Sequence, residues 1–160
     1  MPQLVKGGKH AFAWTRVGEE GRIVVPPEAR EEYGLREGER LLLMPGSRTS
    51  GGFVLASPEA LRRSLLGAMP QALPGLDDRQ TAEGAVVELR GKAFAWALLS
   101  DGVVTVPPLT LARYGVRPGD NLLVVRGSGL APSFIVKGPI VEEARRHPEL
   151  ETFTERRADP

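Results

Sequence analysis

Short apolar runs separated by turn residues set the rhythm of this chain. "HAFAWTRV" (10–17) is aromatic and apolar and predicts a strand, "GEEG" (Gly18 to Gly21) a hairpin turn, and "RIVV" a second short strand. Pro26 keeps the residue before it extended, Pro27 suits a first helical position, and "EAREEY" supplies about two helical turns. Gly34 followed by Leu35 is the pattern of a left-handed glycine closing a helix, with an apolar contact behind it. "REGE" is a tight turn, "RLLLM" a buried strand, and "GFVLA" closes the unit.

The same order returns later. "GKHAFAWTRV" from Gly8 matches "GKAFAWALL" from Gly91, and "GVVTVPPLTLARYGVRPGDNLLV" (Gly102 to Val124) matches the stretch from Gly21 to Leu43. Pro26 and Pro107, Tyr33 and Tyr114, Phe53 and Phe134, and Pro58 and Pro139 all differ by 81 positions. Trp14 and Trp96 differ by 82, so the first hairpin turn holds one more residue than the second. Pro118-Gly119 fits the centre of a type II turn, and "NLLVV" and "SFIVK" repeat the closing strands. A unit of about 50 residues with four short strands and one helix buries too little apolar surface to stand alone. Two units in one chain are therefore expected to share a core.

The pattern divides the chain into a first repeat (1–57), a helix and linker (58–84), a second repeat (85–138) and a helical tail (139–160). "PEALRRSLLGAM" is the expected linker helix, and "IVEEARRHPELETF" a tail helix interrupted near Pro148; the last six residues are expected to fray. Composition adds limits. With 160 residues, 41% hydrophobic and 26% charged, the chain reads as globular, and its formal net charge of +1 gives no whole-molecule attraction to nucleic acid or membrane. It has no cysteine, which excludes disulfides, thiolate metal sites and a cysteine nucleophile and fits a reducing, cytoplasmic setting. The opening residues lack the apolar core of a signal peptide, and no run is long enough for a membrane span.

"TRVGEEGRIVVPPEAREEYGLREGERLLL" resembles the AbrB/SpoVT/MazE class of swapped-hairpin domains, through its "GRIVVP" hairpin, short helix, "YGL" and "EGE" turn. The likeness covers about 10–57, with a degenerate copy over about 92–138, an arrangement similar to MraZ-like tandem proteins. The resemblance implies a mainly β fold with short helices, in which two interlocked repeats form one pseudo-dimeric, β-barrel-like unit with a helix after each repeat. The alternative is pairing of each repeat with the same repeat of another chain. The resemblance also implies a DNA-binding transcriptional regulator, or an antitoxin-like role, with double-stranded DNA as partner.

Carried over by position, Arg22 follows the hairpin glycine, Arg30 lies on the helix and Arg16 on the first strand, with Lys9 nearby; all four are candidate DNA contacts. Arginine suits phosphate or guanine because its planar fork donates two hydrogen bonds at once. Several glutamates stand close by (Glu19, Glu20, Glu28, Glu31 and Glu32), a departure from a basic DNA face. The competing expectation is that Arg22 and Arg30 are solvated or paired with these glutamates.

In the second repeat Val103 stands for Arg22, Leu111 for Arg30, Leu109 for Glu28 and Ala112 for Glu31. The resulting apolar helix predicts an interface at Leu109, Leu111 and Ala112, covered by the tail helix or by another chain, or else a wider core. With one basic copy per chain, a symmetric DNA face calls for a homo-oligomer, at least a dimer. The loops "PGSRTSGGF" and "RGSGLAPSF" offer Gly46, Ser47, Arg48, Ser50, Gly127 and Ser128 as an anion nest, or simply as hairpin loops. A small-anion-binding or assembly module that keeps the fold without DNA is the alternative function. His10 and His147 stand far apart, no nucleophile elbow exists, and Trp14 and Trp96 read as core anchors. No catalytic, metal or cofactor site is expected, and the chain is not expected to be an enzyme.

Overall fold

The computed structural model describes residues 10–63, 84–89, 91–127 and 130–155. The chain is mainly β. In order come β1 (Ala11–Arg16), β2 (Arg22–Val24), α1 (Pro27–Tyr33), β3 (Arg40–Pro45), β4 (Phe53–Ala56), α2 (Pro58–Arg63), β5 (Val87–Leu89), β6 (Lys92–Ser100), β7 (Val103–Thr105), α3 (Pro108–Ala112), β8 (Asn121–Val125), β9 (Ser133–Ile135), α4 (Pro139–Ala144) and β10 (Thr152–Phe153). Among the described residues no helix is long and apolar enough to cross a membrane.

Local chemistry fixes the turns. Gly34 sits at φ 61°, ψ 37°, and the amides of Gly34 and Leu35 donate to the last carbonyls of α1, closing that helix as its sequence predicts. The β6–β7 turn is Asp101-Gly102, both with positive φ (53° and 74°), the geometry that Asp-Gly adopts with least strain. The β1–β2 turn is one residue longer, with the Gly21 amide donating to the Gly18 carbonyl at 3.0 Å.

The strands are exchanged between the two halves. β1 pairs antiparallel with β8, placing Trp14 opposite Leu123; β6 pairs antiparallel with β3, placing Trp96 opposite Leu42. β2 pairs with β7 and β4 with β9. The sheet runs β10-β1-β8-β9-β4-β3-β6-β7-β2, with β5 on β6, and curls until the Thr15 hydroxyl donates to the Val24 carbonyl at 2.8 Å, nearly closing a barrel. Ile23 lies opposite Val104 and Phe53 opposite Phe134, so residues at equivalent repeat positions meet at both crossing points.

The barrel interior is the main core. Phe12, Ile23, Leu41, Leu43, Leu55, Leu99, Leu111 and Leu122 are buried there, and the Phe53 and Phe134 rings stack 4.9 Å apart. Burying side chains of this size contributes about 1.5–3 kcal/mol each. Two smaller clusters lie outside the barrel. α2, begun by the Ser57 hydroxyl accepting from the Ala60 amide (3.1 Å), brings Leu61 onto Leu42, Phe94 and Trp96. α4 brings Val141 and Ala144 onto Ala11, Leu123 and Ile135, with Leu150 closing the patch.

Two expectations need correction. The tail does not resume a helix after Pro148. Thr152 and Phe153 instead form β10, parallel to β1, because β1 has a free edge there and both residues favour extended backbone. β5, at the start of the second repeat, is a strand with no counterpart in the first, folded back on β6. The start of the linker helix is present as α2; residues 64–83, including its expected continuation, lie outside the described residues.

Candidate nucleic-acid interface

The β2–β7 ribbon carries the first candidate. Arg22 lies opposite Thr105 and, unlike its neighbour Ile23, points away from the core. The Gly18 amide donates to the Arg22 carbonyl at 2.9 Å, so Arg22 flanks the Gly18–Gly21 turn. Arg16, exposed at the end of β1, flanks the same turn from the other side; among the described residues no ion pair involves it. The fold thus brings Arg16 and Arg22 to one end of the molecule.

Arg22 is not bare. Its Nε lies 2.9 Å from a carboxylate oxygen of Glu155, and its side chain keeps 45% of its exposure. Glu155 reaches this point because β10 aligns the tail along β1, with the Trp14 amide donating to the Glu151 carbonyl at 2.8 Å. Gly18, Glu19, Glu20, Arg22 and Glu155 line a shallow cleft of about 310 Å³. One cation therefore sits among three carboxylates.

Arg30 lies elsewhere. Its Nε donates to the Val25 carbonyl at 3.1 Å, and Nη1 stands 3.5 Å from Glu37. Its guanidinium lies under the Asp101-Gly102 turn, so close that a Cβ on Gly102 would come within 3.2 Å of Cζ. Glu37 accepts from the amides of that same turn. Arg30, the helix candidate, therefore has a half-buried side chain that anchors α1 to the other half's turn. Sequence spacing could not show this, because Glu37 and Gly102 come from different repeats. Lys9 lies outside the described residues.

The apolar helix of the second repeat is also revised. Leu111, the counterpart of Arg30, is fully buried in the main core, so it is not an interface residue; a Cβ on Gly21 would come within 3.5 Å of it. Leu109 is 86% exposed and Ala112 is exposed as well. Two residues apart on a helix means opposite faces, a signal present in the sequence. Among the described residues the tail does not cover α3, since α4 packs beside β8 and β9. What lies against α3 is the segment around Gly84 to Glu88, where the linker joins the second repeat. The Thr110 hydroxyl donates to the Gly84 carbonyl at 2.5 Å, Arg113 pairs with Glu88, and Gly84 packs on Pro107.

The loop nest is not free either. The amides of Gly46, Ser50, Gly51 and Gly52 donate to Gly52 O, Ser47 Oγ, Ser47 O and Tyr114 O. The Ser50 carbonyl in turn accepts from Val136 and Lys137. This folds Gly46, Ser47 and Ser50 into a hairpin loop braced by the second repeat, not an open anion cradle; Arg48 stays exposed. Gly127 packs against Ala131 and Ser133, and Ser128 lies outside the described residues. Arg126 makes a two-point pair with Glu32 of α1, which holds the Glu32 carboxyl below its ordinary range and raises the guanidinium.

A larger cleft of about 500 Å³ lies between β1, β8 and the tail, lined by Trp14, Asp120, Asn121, Arg145, His147 and Thr152 among others. Both of its basic side chains are paired. Arg145 pairs with Glu142, and His147 Nδ1 lies 2.7 Å from Glu149, a contact that raises the imidazole and lowers the carboxyl. Trp96 instead lies buried, with the Arg40 guanidinium 5.5 Å from its ring centre. Among the described residues no three His, Asp or Glu side chains gather closely enough to ligate a metal ion. No protein-family model, curated protein or solved structure matches the chain.

Proposed function

We propose that this chain is a DNA-binding regulator of the AbrB/SpoVT type, with its two repeats as the two members of one swapped-hairpin unit. The exchange of β1 and β6 between the halves, with equivalent residues meeting at Ile23–Val104 and Phe53–Phe134, is the observation that carries this reading. Arg16 and Arg22, both exposed and flanking the turn of the first hairpin, supply the contacts to double-stranded DNA. The second half offers Val103 and Thr105 on the equivalent strand, so one chain supplies one basic hairpin and at least two chains meet two half-sites.

A second reading, a module that keeps the fold for assembly without DNA, is favoured by the intramolecular pairing of Arg22, Arg30 and Arg126 with glutamates. Selection of genomic fragments on the immobilised protein, followed by a salt series on the recovered duplexes, separates the two. DNA binding through the hairpin predicts steep loss of affinity with salt and a weaker, less salt-sensitive Arg22→Ala variant. No retained fragment at low salt overturns it.

A further inference from the structure

The tail places an anion where a phosphate would go. We infer that residues 149–155 act as an internal competitor for the Arg22 surface, a regulation that rests on the DNA-binding reading above. The segment reads "ELETFTE", with Glu149, Glu151 and Glu155 and no basic residue. It lies along the edge of β1 that leads to the hairpin turn, and its last carboxylate meets Arg22 at 2.9 Å. A carboxylate and a phosphate oxygen satisfy the same guanidinium donors, so both cannot hold Arg22 at once.

The contact is built to open. β10 has two residues, Thr152 exposed and Phe153 half-buried, and it joins the sheet in parallel. Among the described residues Leu150 is the last buried side chain, anchored in the patch under α4, so residues 151–155 can peel from β1 while α4 stays docked. Peeling would expose Arg22 and remove Glu155 from beside Glu19 and Glu20. DNA entering the site would meet a surface one carboxylate less acidic.

The test is fluorescence anisotropy with a labelled mixed-sequence duplex at low salt, on the full chain. Glu155→Gln is expected to tighten binding about two- to fivefold, the range that follows from losing one exposed ion pair. Glu142→Gln removes an equal charge on α4 and is expected to give a smaller gain. In an Arg22→Gln background, Glu155→Gln is expected to give no more than Glu142→Gln does. Hydrogen exchange supplies a second readout: adding the duplex should speed exchange of the Trp14 amide, which donates to Glu151 in the closed tail. If wild type binds and Glu155→Gln gains no more than Glu142→Gln, the competitor is overturned and the DNA-binding reading stands. If neither wild type nor Glu155→Gln binds the duplex at low salt, the DNA-binding reading itself falls, and the competitor with it.

Discussion

Glu37 and Gly102 belong to different halves of the chain, yet the Glu37 carboxylate accepts a hydrogen bond from the Gly102 amide at 2.8 Å and a second from Asp101 at 2.6 Å. Arg30 completes this junction from below. At the equivalent places in the second repeat stand Leu111 and Pro118, and no such polar clamp forms around Gly21. The charges absent from the second repeat thus include a cooperating pair, whose arginine is replaced by a packed leucine.

Removing this clamp should loosen the molecule without touching DNA. Glu37→Ala and Arg30→Leu are each expected to lower stability by about 1 kcal/mol, the usual worth of a partly exposed charged hydrogen bond. The double variant should lose less than the sum, because the two act on one turn. Urea denaturation measures both. Arg30→Leu should leave duplex affinity unchanged, whereas Arg22→Ala should reduce affinity and leave stability within about 0.5 kcal/mol.

Two leucines on α3 should behave oppositely. Leu111→Glu puts an unpaired carboxylate into the main core and is expected to cost more than about 3 kcal/mol. Leu109→Glu, on the exposed face, should change stability by less than about 0.5 kcal/mol. Light scattering on Leu109→Glu adds the assembly test: a chain that covers this face with a second copy should show a fall in mass, and an unchanged mass removes Leu109 from any interface.

Glycines of similar backbone geometry should differ sharply. At Gly34 (φ 61°) a Cβ would meet nothing within 4 Å, so Gly34→Ala should cost only the left-handed penalty, about 1–2 kcal/mol. At Gly21 (φ 81°) a Cβ would fall 1.8 Å from the Val106 carbonyl oxygen, across the β2–β7 junction. Gly21→Ala must move one strand off the other and should be several-fold more damaging in thermal melts.

The turn at His147 should be sensitive to pH in both directions. The imidazole is raised from its ordinary 6.5, chiefly by its hydrogen bond to Glu149, so its contribution is full below that value and fades as pH rises through the folded pKa. Glu149 is lowered from 4.5 by the same contact, so its contribution is present above that value and fades as pH falls through its folded pKa. The contact is therefore strongest in mildly acidic solution. An NMR titration of the imidazole checks this, and Glu149→Gln should bring the His147 pKa down.

Much of the scaffold was legible because backbone chemistry is local. Pro26-Pro27 and Gly34 each constrain a few neighbouring dihedrals, the 81-residue offset carries the same pattern into the second half, and the structure has the elements they imply. β10 was not legible, since two residues become a strand only where another strand's edge receives them. The partners of Arg22 and Arg30 were hidden for the same reason. Glu155 comes from the far end of the chain, and the Glu37 clamp depends on a turn 65 positions away. For Leu111 the sequence left interface and wider core open; the structure puts it in the core, and helical spacing separates it from the exposed Leu109.

The exchanged strands also constrain how the molecule comes to exist. Trp14 finds Leu123 and Leu42 finds Trp96 only after long stretches of chain have been closed into loops. Neither half can complete its sheet while the other is unformed, so folding should be slow and highly cooperative, with a single barrier shared by both repeats. During synthesis the first repeat leaves the ribosome with the inner edges of β1 and β3 unpaired. Those edges stay open until β6 and β8 of the second repeat emerge to cover them.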